Sequence, residues 1–170
     1  MMSFLKSQIS NLKSIKGFTL IELVVVIAIM ALLSGFVLAN YRQGQSRYDL
    51  ETAAQIFIAN LRRAQNLAMV GLEQNGASPF GYGIYTPDSN SYLIFYNQTG
   101  DNDYQPASID LEVISLPSRV FISPIGRSIF FTPPDPTTYI NGENSGSQSF
   151  TLTKDGEIRS VTIYSSGRIE

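Results

Sequence analysis

The first clear hydrophobic pattern in the chain is an almost uninterrupted apolar run, Leu20–Phe36, in which Glu22 is the only charged side chain. About 20 such residues, rising 1.5 Å each, span a hydrocarbon core of about 30 Å. The run therefore predicts a membrane-spanning helix over residues 18–40. A carboxylate within such a segment costs about 2.5–3.5 kcal/mol on insertion, so Glu22 is expected to have a partner.

Beyond this run, apolar residues recur with the spacing of a helix that has one buried stripe. They are Leu50, Ala53, Ala54, Phe57, Ile58, Leu61, Ala64 and Ala68. Residues 41–76 are thus predicted to be the amphipathic half of the same helix, with Gly71 and Gly76 as stop signals. One helix is expected from Phe18 to about Leu72. It should be bent or loosened near Gly35–Gly44, because each helical Gly costs about 1 kcal/mol relative to Ala.

From Pro79 the pattern changes to short β segments separated by turn residues. Strands are predicted at Tyr82–Tyr85, Tyr92–Tyr96, Ile109–Val113, Val120–Ser123, Ser128–Thr132, Phe150–Thr153 and Ile158–Tyr164. The third strand should have one solvent-exposed face. Pro133–Ser147 should be a polar loop, and Ile169 should extend the sheet. The predicted fold class is α+β, a long N-terminal helix packed against an antiparallel β-sheet head over residues 77–170.

Composition narrows the possible chemistry. The chain contains no cysteine and no histidine, which excludes disulfides, thiolate metal sites and histidine bases. No nucleophile motif accompanies its serines and carboxylates, so an enzyme is not expected and no cofactor is implied. The net charge is -2, and it falls to about -5 if residues 1–17 are removed with their three lysines. A polyphosphate partner such as nucleic acid is therefore not expected.

The residues before the apolar run form a short cationic segment with Lys6, Lys13 and Lys16 that ends at Gly17. A secretory signal would have a shorter apolar region and a late small-residue cleavage site, for which Ser34–Gly35 is the only candidate. A plain signal anchor would also satisfy the basic-then-apolar order. Neither alternative accounts for an acid five residues into the apolar segment.

The stretch Lys16-Gly17-Phe18-Thr19-Leu20-Ile21-Glu22-Leu23 resembles the prepilin signal of type IV pilins and type II secretion pseudopilins. The resemblance implies that a prepilin peptidase removes residues 1–17 by cutting after Gly17 and methylates the new amino terminus, Phe18. It also implies that Glu22 acts in assembly with other pilin-like subunits. The alternative is that Glu22 snorkels to the lipid headgroups, since it lies only about 6 Å from Phe18 along the helix. The implied location is the bacterial inner membrane, with an extracytoplasmic head, and then a filament.

The head resembles the GspH/FimT group of minor pseudopilins. The resemblance rests on Tyr92–Tyr96, Gly100–Asp103, Ile109–Glu112 and Leu116–Ser118, and on the ending Ser166-Gly167-Arg168-Ile169. It implies a non-catalytic structural subunit, a minor pseudopilin, of a type II secretion pseudopilus or type IV pilus. Two alternatives stay open, a FimT-like minor pilin that binds DNA for uptake and a major pilin subunit. DNA binding would need a cationic surface, and no basic cluster lies near the carboxy terminus.

One loop offers hard oxygen ligands. Asp101 and Asp103 are spaced as in some calcium loops, but Pro106 stands where an EF-hand requires glycine. A solvated turn between strands is the simpler interpretation, and Asp101 and Asp103 are only weak candidates for a metal site.

Overall fold

The long helix predicted at the start of the patterned region is present as α1, Leu20–Val70. The protein is described by a computed structural model for residues 17–74, 76, 78–133 and 137–170, with the side chains of 37–43 outside the described part. The chain divides into two units, the first ending at Arg42 and the second comprising Gln43–Glu170. The helical assignment continues through Gly35–Gly44, and the bend expected there stays a prediction.

Some of the predicted leader and membrane segment cannot be followed in the structure. Residues 1–16 lie outside the described residues, and so do the side chains of the predicted membrane segment beyond Phe36. Within the described part of the chain, no helix is both long enough and apolar enough to cross a membrane.

Glycine ends α1 as the sequence predicted. Gly71 follows the last helical residue with φ = 60°, a left-handed conformation that glycine adopts without a side-chain clash. Its N–H donates to the Ala68 carbonyl at 3.2 Å, and the Leu72 N–H donates to the Leu67 carbonyl at 3.5 Å. These two bonds form a Schellman motif, which satisfies carbonyls that the helix end would otherwise leave unpaired.

Two antiparallel sheets follow the helix, so the α+β fold with an antiparallel β-sheet head, consistent with a pilin-like fold, is confirmed. The strands are β1 Gly81–Tyr85, β2 Ser91–Asn97, β3 Ile109–Ser115, β4 Phe121–Ser123, β5 Ser128–Thr132, β6 Thr137–Ile140, β7 Ser147–Lys154 and β8 Glu157–Tyr164. One sheet has the strand order β3-β2-β1-β5-β6 and the other the order β4-β7-β8. Ile169 forms a bridge to Ile163, as predicted for the end of the chain.

The prediction that Pro133–Ser147 is a loop throughout was wrong. Part of it, β6, pairs with β5 through the registers Ile129↔Ile140 and Phe131↔Thr138. Thr138 and Ile140 are buried by this pairing. The segment has few apolar residues of its own. It forms a strand because β5 supplies its hydrogen bonds and helps to bury its side chains. Residues 134–136 lie outside the described residues.

The edge strand β3 also differs from its prediction. A register shift between Ile94 and Phe95 breaks the pairing opposite Leu111, so the strict alternation is lost. Val113 is 61 % exposed, and Glu112 pairs with Arg63 on α1. The expected arrangement of one wet and one dry face is therefore replaced by a mostly exposed edge that carries charge.

The core lies where the apolar stripe of α1 meets both sheets. Seven of the eight predicted stripe residues are buried, and Ile58 packs against the same cluster while partly exposed. The Phe57 ring contacts Tyr92 of β2 at 4.9 Å and Phe150 of β7 at 5.3 Å between centroids, both edge-on. Phe57 of α1 is thus in contact with both the five-stranded and the three-stranded sheet.

Candidate functional site

The start of α1 carries the residues predicted to act in processing and assembly. Gly17, Phe18 and Thr19 precede the helix, and every side chain described between Gly17 and Phe36 is exposed. A Cβ added to Gly17 would meet nothing within 4 Å. The conformation of this chain therefore gives no steric reason for a glycine at position 17.

Thr19 caps the helix, a role that the sequence reasoning missed. The Glu22 N–H donates to Thr19 Oγ1 at 3.3 Å, and the Leu23 N–H donates to the Thr19 carbonyl at 3.2 Å. Thr19 with an acid three residues later is the sequence signature of a capping box, which could have predicted this cap. The helix therefore begins directly after the proposed new amino terminus.

Glu22 lies in the first turn of α1. Among the residues that the structure describes, its carboxylate has no hydrogen-bond or ion-pair partner. A negative charge near a helix start interacts favourably with the helix dipole by about 0.3–1 kcal/mol. That gain is smaller than the cost of an unpaired acid in an apolar environment, so a partner from another molecule is still required if the segment becomes covered.

The apolar segment that carries Glu22 has exposed hydrophobic side chains on all sides. Exposure of its large hydrophobic residues ranges from 41 % for Val26 to 81 % for Leu20. Exposed apolar surface of this extent marks an interface with lipid or with other proteins, because leaving it in water is unfavourable. The described apolar segment of the first unit is therefore suited to contact lipid or another protein.

The loop with the candidate ligands Asp101 and Asp103 uses its carboxylates internally. Asp103 accepts from the Tyr104 N–H at 2.7 Å and from the Ser128 hydroxyl, and Asp101 accepts from Thr99 Oγ1 at 2.9 Å. Among the described residues, no three His, Cys, Asp or Glu side chains come together as a possible metal site. The sequence predicted no metal site and kept Asp101 and Asp103 only as weak candidates, and that prediction stays untested. The observed geometry is that of a hydrogen-bonded loop.

Asn97 is the centre of that loop, a role that no sequence pattern indicated. Its Nδ2 donates to the carbonyls of Asp101 and Asp103 at 2.8 and 2.9 Å, and its Oδ1 accepts from Ser108 Oγ at 2.6 Å. The loop in turn places the Tyr104 ring on Tyr85 at 4.1 Å. These bonds close the loop over the sheet face that does not contact α1.

Most cations of the second unit are already paired. Six form ion pairs within the chain: Arg47, Arg63, Arg119, Lys154, Arg159 and Arg168. Near the carboxy terminus, Arg168 contacts Glu170 at 3.3 Å and lies 4.2 Å from the centre of the Tyr164 ring. The described surface therefore has few cations free to contact phosphate groups.

Comparison with known proteins identifies one similarity. Residues 12–38 match the family model of the prokaryotic N-terminal methylation motif. No curated protein and no solved structure matches the chain. The motif belongs to structural pilin subunits and not to enzymes, and it implies processing by a prepilin peptidase, a membrane-anchored precursor and assembly with other pilins. Through this segment, the chain is similar to type IV pilin-like and pseudopilin-type proteins, the subunits of pili or secretion pseudopili.

Proposed function

We propose that this chain is a minor pseudopilin, a non-catalytic subunit of a type II secretion pseudopilus or type IV pilus. The observation that carries the proposal is the exposed apolar start of α1, with Glu22 in its first turn, inside the matched methylation motif. In a stack of such helices, neighbouring apolar faces cover one another. The Phe18 amino group of one subunit pairs there with Glu22 of the next.

In this proposal, residues 18–40 first hold the chain in the inner membrane, with the head on the extracytoplasmic side. The cationic residues before Gly17 stay on the cytoplasmic side, as the positive-inside rule requires. The α+β head is consistent with a pilin-like subunit. The assignment to the GspH/FimT type rests on the short head motifs of the sequence.

Processing is the direct test. Co-expression with a prepilin peptidase should remove Met1–Gly17 and add a methyl group to Phe18, which intact mass spectrometry detects as a shortened, methylated chain. Gly17→Leu should abolish cleavage. A Cβ at Gly17 contacts nothing, so this substitution should leave the head intact and the loss can be assigned to the peptidase.

Gly35→Ala is the matched control, because a Cβ at this glycine also meets nothing within 4 Å. It should be cleaved and methylated like the wild type. Efficient cleavage near Gly35 in place of Gly17 would contradict the pilin assignment.

DNA uptake, the alternative function, predicts a different surface. The paired cations and the contacts of Arg168 do not favour it. Binding of duplex DNA at about 150 mM salt should therefore be no tighter than non-specific affinities of about 10⁻⁴–10⁻⁶ M, as measured by fluorescence anisotropy. Arg168→Ala should leave this weak binding unchanged. Tight, salt-sensitive binding that Arg168→Ala weakens would favour the DNA-binding minor pilin.

A further inference from the structure

Within the second unit, α1 is joined to the β7–β8 hairpin by matched opposite charges. Three ion pairs with N–O distances of 2.7–2.8 Å make the connection: Arg47–Glu157, Lys154–Asp49 and Arg159–Glu51. The hairpin presents these charges in a fixed register, since Asp155 and Gly156 both have positive φ, as a two-residue turn of this kind requires.

The turn residue Asp155 adds two further contacts. One of its carboxylate oxygens accepts from the Ser46 hydroxyl at 2.7 Å, and the other pairs with Arg119 in the segment before β4. We call the whole set the electrostatic clasp, comprising Ser46, Arg47, Asp49, Glu51, Arg119, Lys154, Asp155, Glu157 and Arg159. It links α1 to β7, to β8 and to the turn between them, and Asp155 in that turn also holds Arg119.

None of the residues Gly44–Asp49 is buried, and Leu50 is the first core residue among the described side chains of α1. A cleft of about 240 Å³ lies among the clasp residues, lined by Arg47, Leu50, Glu157, Ile158 and Arg159. The attachment of residues 46–49 to the head therefore depends on charge and hydrogen bonds.

The geometry of the clasp lowers the pKa of two of its carboxyl groups, those of Asp49 and Glu51. The hydrogen bond from Lys154, assisted by Gln45, holds the pKa of Asp49 below its usual value. Hydrogen bonds from Gln55 and Arg159 likewise lower the pKa of Glu51. Both carboxylates are therefore charged at neutral pH, and the ion pairs are complete there.

We propose that the electrostatic clasp is a releasable attachment, which lets α1 residues 46–49 leave and rejoin the head while the core from Leu50 onward stays folded. The Arg47–Glu157 and Arg159–Glu51 pairs are exposed to solvent, so each contributes little and is screened by salt. Lys154 is only 9 % exposed, so salt screens its pair with Asp49 less, and the buried apolar stripe carries no charge for salt to screen. The proposal concerns the head itself and does not depend on whether the chain enters a filament.

Hydrogen–deuterium exchange of the full chain in detergent micelles tests the clasp. Raising NaCl from about 0.05 to 1 M shortens the screening length from more than 10 Å to about 3 Å. Exchange of the amides of residues 46–52 should then rise about two- to fivefold. Exchange of residues 57–68, which the buried stripe holds, should stay constant and serves as the internal control.

Substitutions at the clasp residues test the same contacts. Lys154→Met removes the cation that faces Asp49 and should raise exchange of residues 46–52 about two- to fivefold at low salt. The exchanged pair Asp49→Lys with Lys154→Asp keeps the combined side-chain length and should restore slow exchange. Arg63→Gln, which removes the exposed ion pair with Glu112 beside the buried Leu61, is the matched control and should change neither segment.

Three results would overturn the proposal. The first is exchange of residues 46–52 that responds neither to salt nor to Lys154→Met. The second is an equal rise throughout residues 46–68, which would mean that the head unfolds as one unit. The third is failure of the exchanged pair to restore slow exchange although the variant keeps the wild-type circular dichroism.

Discussion

A protein that begins at Gly76 should aggregate or stay unfolded, whereas one that begins at Tyr48 should fold as a soluble monomer. The shorter protein lacks the stripe residues of α1, including Leu50, Phe57 and Leu61, which are buried against both sheets. Each large buried side chain contributes about 1.5–3 kcal/mol, and a domain is stable by only about 5–15 kcal/mol. Size-exclusion chromatography and circular dichroism of the two proteins would show the difference.

A single substitution in the stripe should show the same dependence. Phe57→Ala in the protein beginning at Tyr48 should lower the free energy of unfolding by about 3–5 kcal/mol, measured by urea denaturation. The loss is large because the Phe57 ring contacts Tyr92 and Phe150, one in each sheet. Ile56→Ala is the matched control. The Ile56 side chain, next to Phe57 in the sequence, is 46 % exposed, so its truncation should lower the free energy of unfolding by about 1 kcal/mol or less.

Two outcomes would contradict this account of the core. One is cooperative unfolding of the protein that begins at Gly76, since its sheets would then be stable without the helix. The other is an equal loss of stability from Phe57→Ala and Ile56→Ala. In that case the contacts of Phe57 with the two sheets would not account for its contribution to the free energy of unfolding.

The second large effect is expected from Glu22→Leu, which should prevent entry into filaments in the presence of wild-type partner subunits. The change removes an acid whose insertion costs about 2.5–3.5 kcal/mol, so membrane insertion should be equal or better. Assembly should fail because the amino group of a neighbouring Phe18 would lose its counter-charge. Fractionation of membranes and of sheared filaments, followed by immunoblotting, measures the two steps separately.

Two further variants distinguish assembly from helix capping. Glu22→Gln keeps a hydrogen-bonding side chain three residues after Thr19 but removes the charge, so it should fail in assembly like Glu22→Leu. Ile21→Leu changes an exposed apolar neighbour in the same turn and should assemble normally. Normal incorporation of the glutamine variant would assign Glu22 to the start of the helix and not to contacts between subunits.

The candidate site was predictable where the pattern is local. An acid in an apolar run and a glycine before it are visible without any fold, and the cap by Thr19 could have been predicted from the same few residues. The roles of Asp103 and Asn97 were not predictable in this way. Asp103 bonds to Ser128, which lies 25 residues further along the chain. Asn97 bonds to loop carbonyls whose positions depend on a loop geometry that no local pattern specifies.

The electrostatic clasp shows the same limit. Its charges are individually unremarkable in the sequence, and its bonds between α1 and the hairpin join residues more than 100 positions apart. Only the packing of α1 on β7 and β8 brings each charge opposite one of the other sign. The turn that fixes the hairpin register, Asp155-Gly156, was predictable because both residues tolerate positive φ.

The sequence by itself determined the elements whose signals are short in range: the start, stripe and glycine stop of α1, most strands, and the hairpin turns. It did not determine β6, the irregular register of β3, or the steric requirement for glycine at position 83. A Cβ there would lie 2.6 Å from the Ile129 carbonyl oxygen and 2.7 Å from the Phe95 ring. Tertiary structure decided these features, because strand pairing and close contact depend on neighbours that are distant in the chain.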